Sequence, residues 1–375
     1  MSEHRTHLRL FTPGPLNTTA RVRNAMRDDW GSRTPEFIDL TARVRAGLLR
    51  AAQAGPAFTS VPLQGSGTFA VEAMLATLVP KHSRILVLAN GAYGTRLADI
   101  CSAQGIEHAV LRAGNATPFD IAAVDHALSG RMTFSHIAVV HCETSSGLIN
   151  PVNEIAALAA DHGCRLLVDA MSAFGALPLD YNISALSAVA ASANKCLHGV
   201  PGIGFVLVRQ ADLEAATPRR SLSLDLRAQW KELEQSGQWR FTPPTHIVAA
   251  LQTALEEFEE QGGRAARLAH YNRLHKRLVV GMEQLGFTCI VGSEWRAPMI
   301  TAFSAPIGEA FHFDSLYEAL ARQGLSIYPG KVPGTTSFRI GCMGNLDDQD
   351  IDDVVNAIAH YRTGVQGRVP EMANL

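Results

Sequence analysis

Lys195 is the residue in this chain with the clearest potential for covalent chemistry. It lies in SANKCLHGVPGIGFVL, between a small polar run and a segment that is rich in glycine and otherwise apolar. A lysine at the ligand edge of a parallel sheet loses hydration, which lowers the pKa of its amine and lets the neutral amine attack a carbonyl. The alternative is a solvated lysine in a surface loop.

A carboxylate with a similar setting ends the apolar run RLLVD at Asp169. In open parallel sheets, ligands bind at the carboxyl ends of the strands, where a carboxylate can hold a protonated heterocyclic nitrogen. The alternative is an aspartate that caps the following helix.

A candidate anion site lies in LQGSGTFAVEA, where Gly65, Ser66, Gly67 and Thr68 join a strand to a helix. Backbone N–H groups at a helix N-terminus and the adjacent hydroxyls suit a phosphate. An ordinary capped helix is one alternative, and the dinucleotide fingerprint G-x-G-x-x-A is another. That fingerprint needs an acid about 20 residues further on, but the next strand is followed by Asn90.

Taken together, these three groups match what pyridoxal phosphate requires. Its phosphate needs an anion site, its ring nitrogen a carboxylate, and its aldehyde a lysine. The order of the anion site, Asp169 and Lys195 along the chain, each at a predicted strand end, favours this cofactor.

No metal is expected. His141 and Glu143 in HCETSSG have the H-x-E spacing of zinc deaminases, but no P-C-x-x-C follows, and the chain has no H-E-x-x-H.

Strands and helices alternate through the first two thirds of the sequence, which predicts an α/β fold with a mostly parallel sheet. The predicted strands are continuous apolar runs, typical of strands buried on both faces, at 84–89, 136–140, 165–169 and 204–208. The predicted helices between them cover 68–78, 93–104 and 152–162. Beyond residue 209 we expect helices at 247–260 and 263–285, and then a smaller α+β unit.

Composition excludes several classes of protein. The 375 residues carry 33 Lys+Arg and 35 Asp+Glu, so no basic surface for nucleic acid or anionic lipid is expected. The start lacks the apolar region of a secretory signal, and no apolar run could span a membrane. Six cysteines without C-x-x-C pairs predict reduced thiols and a cytoplasmic protein.

Ten motifs together resemble the class V aminotransferases of pyridoxal-phosphate fold type I, and among them the 2-aminoethylphosphonate–pyruvate aminotransferases. They are FTPGPLNTT, LQGSGTFAVEA, NGAYGTR, HCETSSG, VDAMSAFG, SANKCLHGVPGIGFV, SLSLDL, WRFTPPTH, YPGK and FRIGCMG. The resemblance extends from Leu10 to Tyr361. It implies a large domain at 16–260 with a seven-stranded sheet, and a small domain formed by 1–15 and 261–375.

The resemblance also implies roles for individual residues. Lys195 would bind the cofactor covalently, and Asp169 would pair with the pyridinium nitrogen. Tyr93 would stack on the ring, and Thr144 would hydrogen-bond the phenolic oxygen. The remaining implied cofactor contacts, all to the phosphate or near it, are Ser66, Gly67, Thr68, Ser192 and, from the other subunit of a homodimer with sites at its interface, Thr245.

On the substrate side, the resemblance implies that Arg339 clamps the acidic end of each substrate and that Thr18 also contacts substrate. The implied reaction moves the amino group of 2-aminoethylphosphonate to pyruvate and gives phosphonoacetaldehyde and L-alanine. The segment 28–40, DDWGSRTPEFIDL, departs from the expected pattern and resembles alanine–glyoxylate and serine–glyoxylate aminotransferases instead. We expect this segment to be a loop near the substrate, with Arg33 either an anion ligand or a structural residue.

Three alternatives stay open from the sequence. An alanine– or serine–glyoxylate aminotransferase would share the cofactor. A cysteine desulfurase would need a mobile reactive thiol, for which Cys289 and Cys342 are candidates by position. A dehydrogenase would use the glycines of the Gly65–Gly67 turn for a dinucleotide.

Overall fold

The structure, a computed structural model, describes residues 8–217, 220–306 and 311–366. Its strands are β1 Arg9–Leu10, β2 Phe58–Gln64, β3 Arg84–Ala89, β4 Glu107–Arg112, β5 His136–Val140, β6 Cys142–Glu143, β7 Leu148–Ile149, β8 Arg165–Asp169, β9 Leu186–Ser192, β10 Ile203–Arg209, β11 Thr288–Cys289, β12 Ile300–Ser304, β13 Leu325–Ser326, β14 Tyr328–Pro329 and β15 Ser337–Gly341. Its helices are α1 Ala20–Asn24, α2 Pro35–Ala52, α3 Gly67–Leu78, α4 Ala92–Ala103, α5 Ile121–Leu128, α6 Val152–Asp161, α7 Gln210–Ala215, α8 Leu226–Ser236, α9 Thr245–Glu260, α10 Gly263–Gln284, α11 Phe313–Ala321 and α12 Asp348–Gln366.

Seven strands form the large sheet in the order β2-β10-β9-β8-β5-β3-β4. Strand β10 runs antiparallel to both of its neighbours, and the other adjacent pairs are parallel. Every residue of β5 and of β9 is buried, because helices cover both faces of the sheet. The predicted seven-stranded, mostly parallel sheet is confirmed.

A second sheet, antiparallel and four-stranded, has the order β11-β12-β15-β14. Helices α10 and α11 both pack on α12 beside this sheet, around a separate apolar cluster. Phe11 belongs to that cluster, and β1 pairs with β13. The predicted smaller α+β unit is therefore present, while the domain limits at residues 15 and 260 stay a prediction.

The strand register brings several strand ends to one edge of the large sheet. Gln64 pairs with Ile203, and Ser192 pairs with the next residue, Gly204. Asp169, the last residue of β8, lies beside Val140, the last residue of β5. Polar residues that follow buried strands in the sequence therefore meet at this edge, as expected for parallel strands.

Candidate active site

A cleft at this sheet edge collects most of the residues that the sequence singled out. Its walls come from the start of α3, the first turn of α4, and the segments that follow β6, β8 and β9. The lining residues are Ser66, Gly67, Thr68, Val71, Tyr93, Arg96, Thr144, Asp169, Met171, Ser172, Ser192, Asn194 and Lys195.

The start of α3 lies at the end of the cleft where the sequence predicts an anion site. Ser66 is the N-cap residue and has extended backbone, while Gly65 before it has φ +122°, a conformation that favours glycine. A Cβ on Gly67 would lie 2.2 Å from Met171 Sδ, so a larger residue there would require the Met171 side chain to move. Unpaired N–H groups of the first turn thus remain available to an anion.

Arg96 adds a cation to the predicted anion site. Its Nη1 donates to Thr68 Oγ1 at 3.1 Å, and its guanidinium carbon lies 4.7 Å from the centroid of the Tyr93 ring. No local signal in the sequence singled out Arg96, although it stands in the motif NGAYGTR.

Asp169 is 5% exposed at the end of β8. Burial raises the pKa of this carboxyl, the hydrogen bond that Met171 N–H donates to Oδ1 at 3.0 Å lowers it, and the Glu143 carboxylate raises it, with a net pKa of about 6. A cation placed against this carboxylate would remove much of that cost.

Lys195 is half-buried at the other side of the cleft, after β9. Burial lowers the pKa of its amine to about 8, so a much larger neutral fraction exists near neutral pH than for an exposed lysine. Its ammonium donates to the carbonyl of Pro13. Gly14 has φ +105°, and a Cβ there would be 2.8 Å from Nζ, so glycine is required where the N-terminal segment crosses the lysine.

Thr144 connects the cleft to the small sheet. Its hydroxyl shares a hydrogen bond of 2.7 Å with Ser172 Oγ, and its carbonyl accepts from Arg339 Nη1 at 3.0 Å. Arg339, on β15 and only 2% exposed, also donates from Nε to the Pro329 carbonyl at 3.0 Å. Burial lowers the pKa of Arg339, and it makes no ion pair with any residue that the structure describes.

Glu143 is a fully buried carboxylate that the sequence analysis considered only for zinc. It accepts from the backbone N–H of Tyr93 at 3.1 and 3.2 Å, of Gly94 at 3.1 Å and of Ser145 at 3.3 Å, and from the Ser145 hydroxyl. This acid therefore caps α4 and fixes the turn that carries Tyr93. No group of three His, Cys, Asp or Glu within the described ranges could hold a metal ion.

Three of the predicted site residues are not among the lining residues named above, and of these Arg339 contacts the lining through the Thr144 carbonyl. Thr245 is the first residue of α9, where its hydroxyl is 3.5 Å from His246 Nδ1. Thr18 Oγ1 accepts from Arg23 Nη1 at 3.4 Å. Their predicted contacts with phosphate and substrate remain predictions.

The prediction of a loop over residues 28–40 is wrong for the second half of that segment. Helix α2 begins at Pro35, and Phe37 and Leu40 are buried against the core. Proline at the first helical position and the apolar spacing that follows it are the signal for this helix. Arg33 is exposed just before it.

A helix N-terminus, a buried carboxylate and a lysine of lowered pKa lie on one cleft. This arrangement suits a phosphorylated aldehyde cofactor. The family description "Aminotransferase class-V" matches residues 32–340. The chain belongs to the class V aminotransferases, whose cofactor is pyridoxal phosphate.

Individual relatives agree with this family over almost the full length. A 2-aminoethylphosphonate–pyruvate transaminase of Paraburkholderia xenovorans is 46% identical over 370 residues, which cover 98% of this chain and 95% of that protein. Another from Rhizobium meliloti is 46% identical over 93% of this chain and 92% of its own. The crystal structure of an alanine–glyoxylate aminotransferase from Nostoc sp. superimposes with a TM-score of 0.88 at 23% identity, covering 96% and 97% of the two chains. The fold-type-I prediction is therefore confirmed.

Proposed function

We propose that this chain is a pyridoxal-phosphate-dependent aminotransferase that transfers the amino group of 2-aminoethylphosphonate to pyruvate, giving phosphonoacetaldehyde and L-alanine. The observation that carries the proposal is the single cleft shared by Lys195, Asp169 and the start of α3. The near full-length similarity to 2-aminoethylphosphonate–pyruvate transaminases supports the choice of substrates.

The residues of the cleft fit the cofactor. Ser66, Gly67 and Thr68 would hold the phosphate, with Ser192 close by, and Asp169 would hold the proton on the ring nitrogen. Tyr93 would lie on the ring, and Thr144 would donate to the phenolic oxygen. Bound pyridoxal phosphate supplies an aldehyde that carries the amino group and a ring that takes up the electron pair of the deprotonated donor carbon.

Lys195 would hold the cofactor covalently and would also serve as the proton-transfer group of the site. Its lowered pKa provides a neutral amine, which is the form that can accept a proton from the donor carbon. Once protonated, the same amine would serve as a general acid. The ionised Asp169 carboxylate is costly in its buried setting, so pairing with a protonated ring nitrogen would favour both charges.

Arg339 orients the acidic end of both substrates. Two of its guanidinium nitrogens are fixed by the carbonyls of Pro329 and Thr144, so the fork is held in one orientation. A fixed guanidinium can donate hydrogen bonds to phosphonate oxygens and to carboxylate oxygens. This suits an enzyme that binds a phosphonate and a carboxylate in turn.

The competing functions are less well supported. An alanine– or serine–glyoxylate aminotransferase would share this cleft, but the curated relatives over the full length act on 2-aminoethylphosphonate and pyruvate by name. A desulfurase thiol is disfavoured because burial raises the pKa of Cys289 to about 11 and that of Cys342 to about 12. A dinucleotide site is disfavoured because Asn90, not an acid, follows β3 and donates to Asn150 and Thr117.

The working unit in this proposal is a cytoplasmic homodimer with sites at its interface. An apolar groove next to α3 exposes Phe69 to 50% and Phe241 to 45%, and Leu222, next to the lining residue Ser223, is 63% exposed. A second copy would cover this surface. Thr245 would reach a cofactor only from that second copy. All six cysteines are free thiols, in keeping with a reducing compartment. No helix in the described ranges is long and apolar enough to cross a membrane.

The deciding experiment is an assay of L-alanine formation from pyruvate by the cofactor-loaded enzyme, with 2-aminoethylphosphonate, L-serine or glycine as donor. We expect 2-aminoethylphosphonate to give the highest kcat/KM. A higher kcat/KM with an amino-acid donor would replace this proposal with the glyoxylate-type activity. The molar mass of the same sample, measured by light scattering, tests whether the protein is a dimer.

A further inference from the structure

Lys331 is a cation beside the cleft to which neither the sequence analysis nor the family resemblance gives a role. It follows β14 in the turn YPGK, Tyr328–Lys331, and its Nζ lies 5.8 Å from the centroid of the Tyr93 ring. Its side chain is exposed in the single chain. Lys331 therefore stands at the entrance of the cleft, over the aromatic ring that faces the candidate cofactor site.

The turn that carries Lys331 is fixed to the strand that carries Arg339. Tyr328 pairs with Arg339 in the small sheet, and Arg339 Nε donates to the Pro329 carbonyl. Gly330 N–H donates to the Ser337 carbonyl at 2.9 Å, and a Cβ on Gly330 would lie 1.9 Å from Ser337 Oγ. The backbone of this turn consequently keeps Lys331 and Arg339 on the same side of the cleft.

Three cations converge on Tyr93 without an acidic partner. Arg96 and Lys331 face its ring, and Arg339 interacts electrostatically with the Tyr93 side chain. None of the three cations forms an ion pair with a residue in the described part of the chain. The nearby Glu143 carboxylate accepts its hydrogen bonds from the backbone N–H groups of α4 and of Ser145.

This arrangement leaves a local excess of positive charge that a ligand must neutralise. Partial burial, and then the repulsion of Arg339 and Arg96, lower the pKa of Lys331, and the attraction of Glu143 only partly offsets them. The positive charge around the lysine is therefore compensated only in part. A monoanionic carboxylate is satisfied by the fork of one arginine. A dianionic phosphonate has a third oxygen and a second charge, for which a compact ammonium is suited.

We propose that Lys331 is a specificity residue that supplies a second positive charge to the phosphonate of the amino donor, so that the enzyme favours a phosphonate over the carboxylate of the same length. This inference rests on the proposed function and deepens it. Arg339 then serves both substrates, while Lys331 distinguishes the donor from pyruvate.

The test compares 2-aminoethylphosphonate with β-alanine, its carboxylate analogue, in Lys331→Ala, Lys331→Arg and the wild type. We expect Lys331→Ala to raise the KM for 2-aminoethylphosphonate about 10-fold, to keep kcat within about 2-fold, and to change the KM for β-alanine and pyruvate by less than about 3-fold. Lys331→Arg keeps the charge and should retain most of the preference. Lys81→Ala, in an exposed turn before β3, is the matched control and should behave as the wild type.

An equal loss with both donors, or no change in the ratio of their kcat/KM values, would overturn the assignment. Calorimetric titration of the loaded enzyme with methylphosphonate and with acetate provides a second readout that needs no turnover. Lys331→Ala should weaken the binding of methylphosphonate about 10-fold and leave the affinity for acetate nearly unchanged. If the wild type does not transaminate 2-aminoethylphosphonate, the proposed function fails, and the methylphosphonate titration still decides the role of Lys331.

Discussion

The buried Glu143 carboxylate accepts hydrogen bonds of 3.1 and 3.2 Å from the backbone N–H of Tyr93. The acid comes from the β6 segment and the N–H from the first turn of α4, so this contact joins two sides of the cleft. Because the free N–H groups of a helix start carry partial positive charge, the carboxylate is stabilised there without an arginine or lysine partner. That leaves the cations of the cleft available to ligands.

Glu143→Gln should destabilise the protein and loosen Tyr93. The amide keeps the shape of the side chain but has one acceptor oxygen in place of two, and its NH2 faces N–H donors. We expect a loss of about 1–3 kcal/mol in the free energy of unfolding, measured by denaturant titration. Glu214→Gln, an exposed residue on α7, is the control and should stay within about 0.5 kcal/mol of the wild type. Equal stabilities for the two variants would mean that the cap contributes nothing.

Lys195→Ala should abolish turnover. The variant lacks the amine that binds the aldehyde and that carries the proton, so we expect kcat to fall by at least about 10³-fold. Borohydride reduction of the wild type with pyridoxal phosphate, followed by peptide mapping, should label Lys195. Lys276→Ala on α10 should keep both activity and the label. Full activity in Lys195→Ala, or a label on another lysine, would remove Lys195 from the mechanism.

Asp169→Asn should keep the fold and lose most of the activity. The amide is nearly isosteric, but it cannot hold the ring nitrogen protonated by charge, so we expect kcat to fall by roughly 10²-fold or more. Asp169→Glu keeps the negative charge and should retain part of the wild-type activity. Because burial raises the pKa of Asp169 to about 6, removing the charge should also leave thermal stability without cofactor equal or higher. A variant that is both unstable and fully active would contradict this role.

The large sheet and half of the cleft could be predicted from sequence because they depend on local patterns. Apolar runs identified β3, β5, β8 and β10, and parallel strands bring their ends together, which placed Asp169 and Lys195 correctly on one cleft. The direction of β10 could not be read, since a buried strand looks the same in either orientation. Strand β4 escaped detection because its EHAVLR stretch lies at the sheet edge, half-exposed, and lacks a continuous apolar run.

The contacts that complete the site depend on tertiary structure and have no local signal. Arg96 is one helical turn from Tyr93, yet its contact with Thr68 requires α3 and α4 to lie side by side. Lys331 and Tyr93 are far apart in the chain and meet only because the small sheet packs against the cleft. A sequence pattern can name such residues within a motif but cannot give their partners.

Mild acid should destabilise the protein through three buried histidines, His136, His141 and His198. Burial lowers the pKa of His136 and His141 to about 4 and that of His198 well below its ordinary value. In the unfolded chain these groups titrate near 6.5, so between about pH 6.5 and 4 the unfolded state binds more protons. The stability they contribute is thus complete above about pH 6.5 and is lost as the pH falls. Asp169 has the opposite effect on stability, because its raised pKa lets the native state bind a proton at a higher pH than the unfolded state does. This single group offsets only part of the effect of the three histidines.

The free energy of unfolding should therefore be lower by several kcal/mol at about pH 5 than at about pH 7 in guanidinium titrations. His141→Asn removes one of the three groups and should reduce the slope by up to about 1.4 kcal/mol per pH unit. His126→Asn, at an exposed position of α5, is the matched control and should leave the slope unchanged. A free energy of unfolding that stays constant between these pH values would show that the buried histidines accept protons in the native state. Burial would then not lower their pKa values.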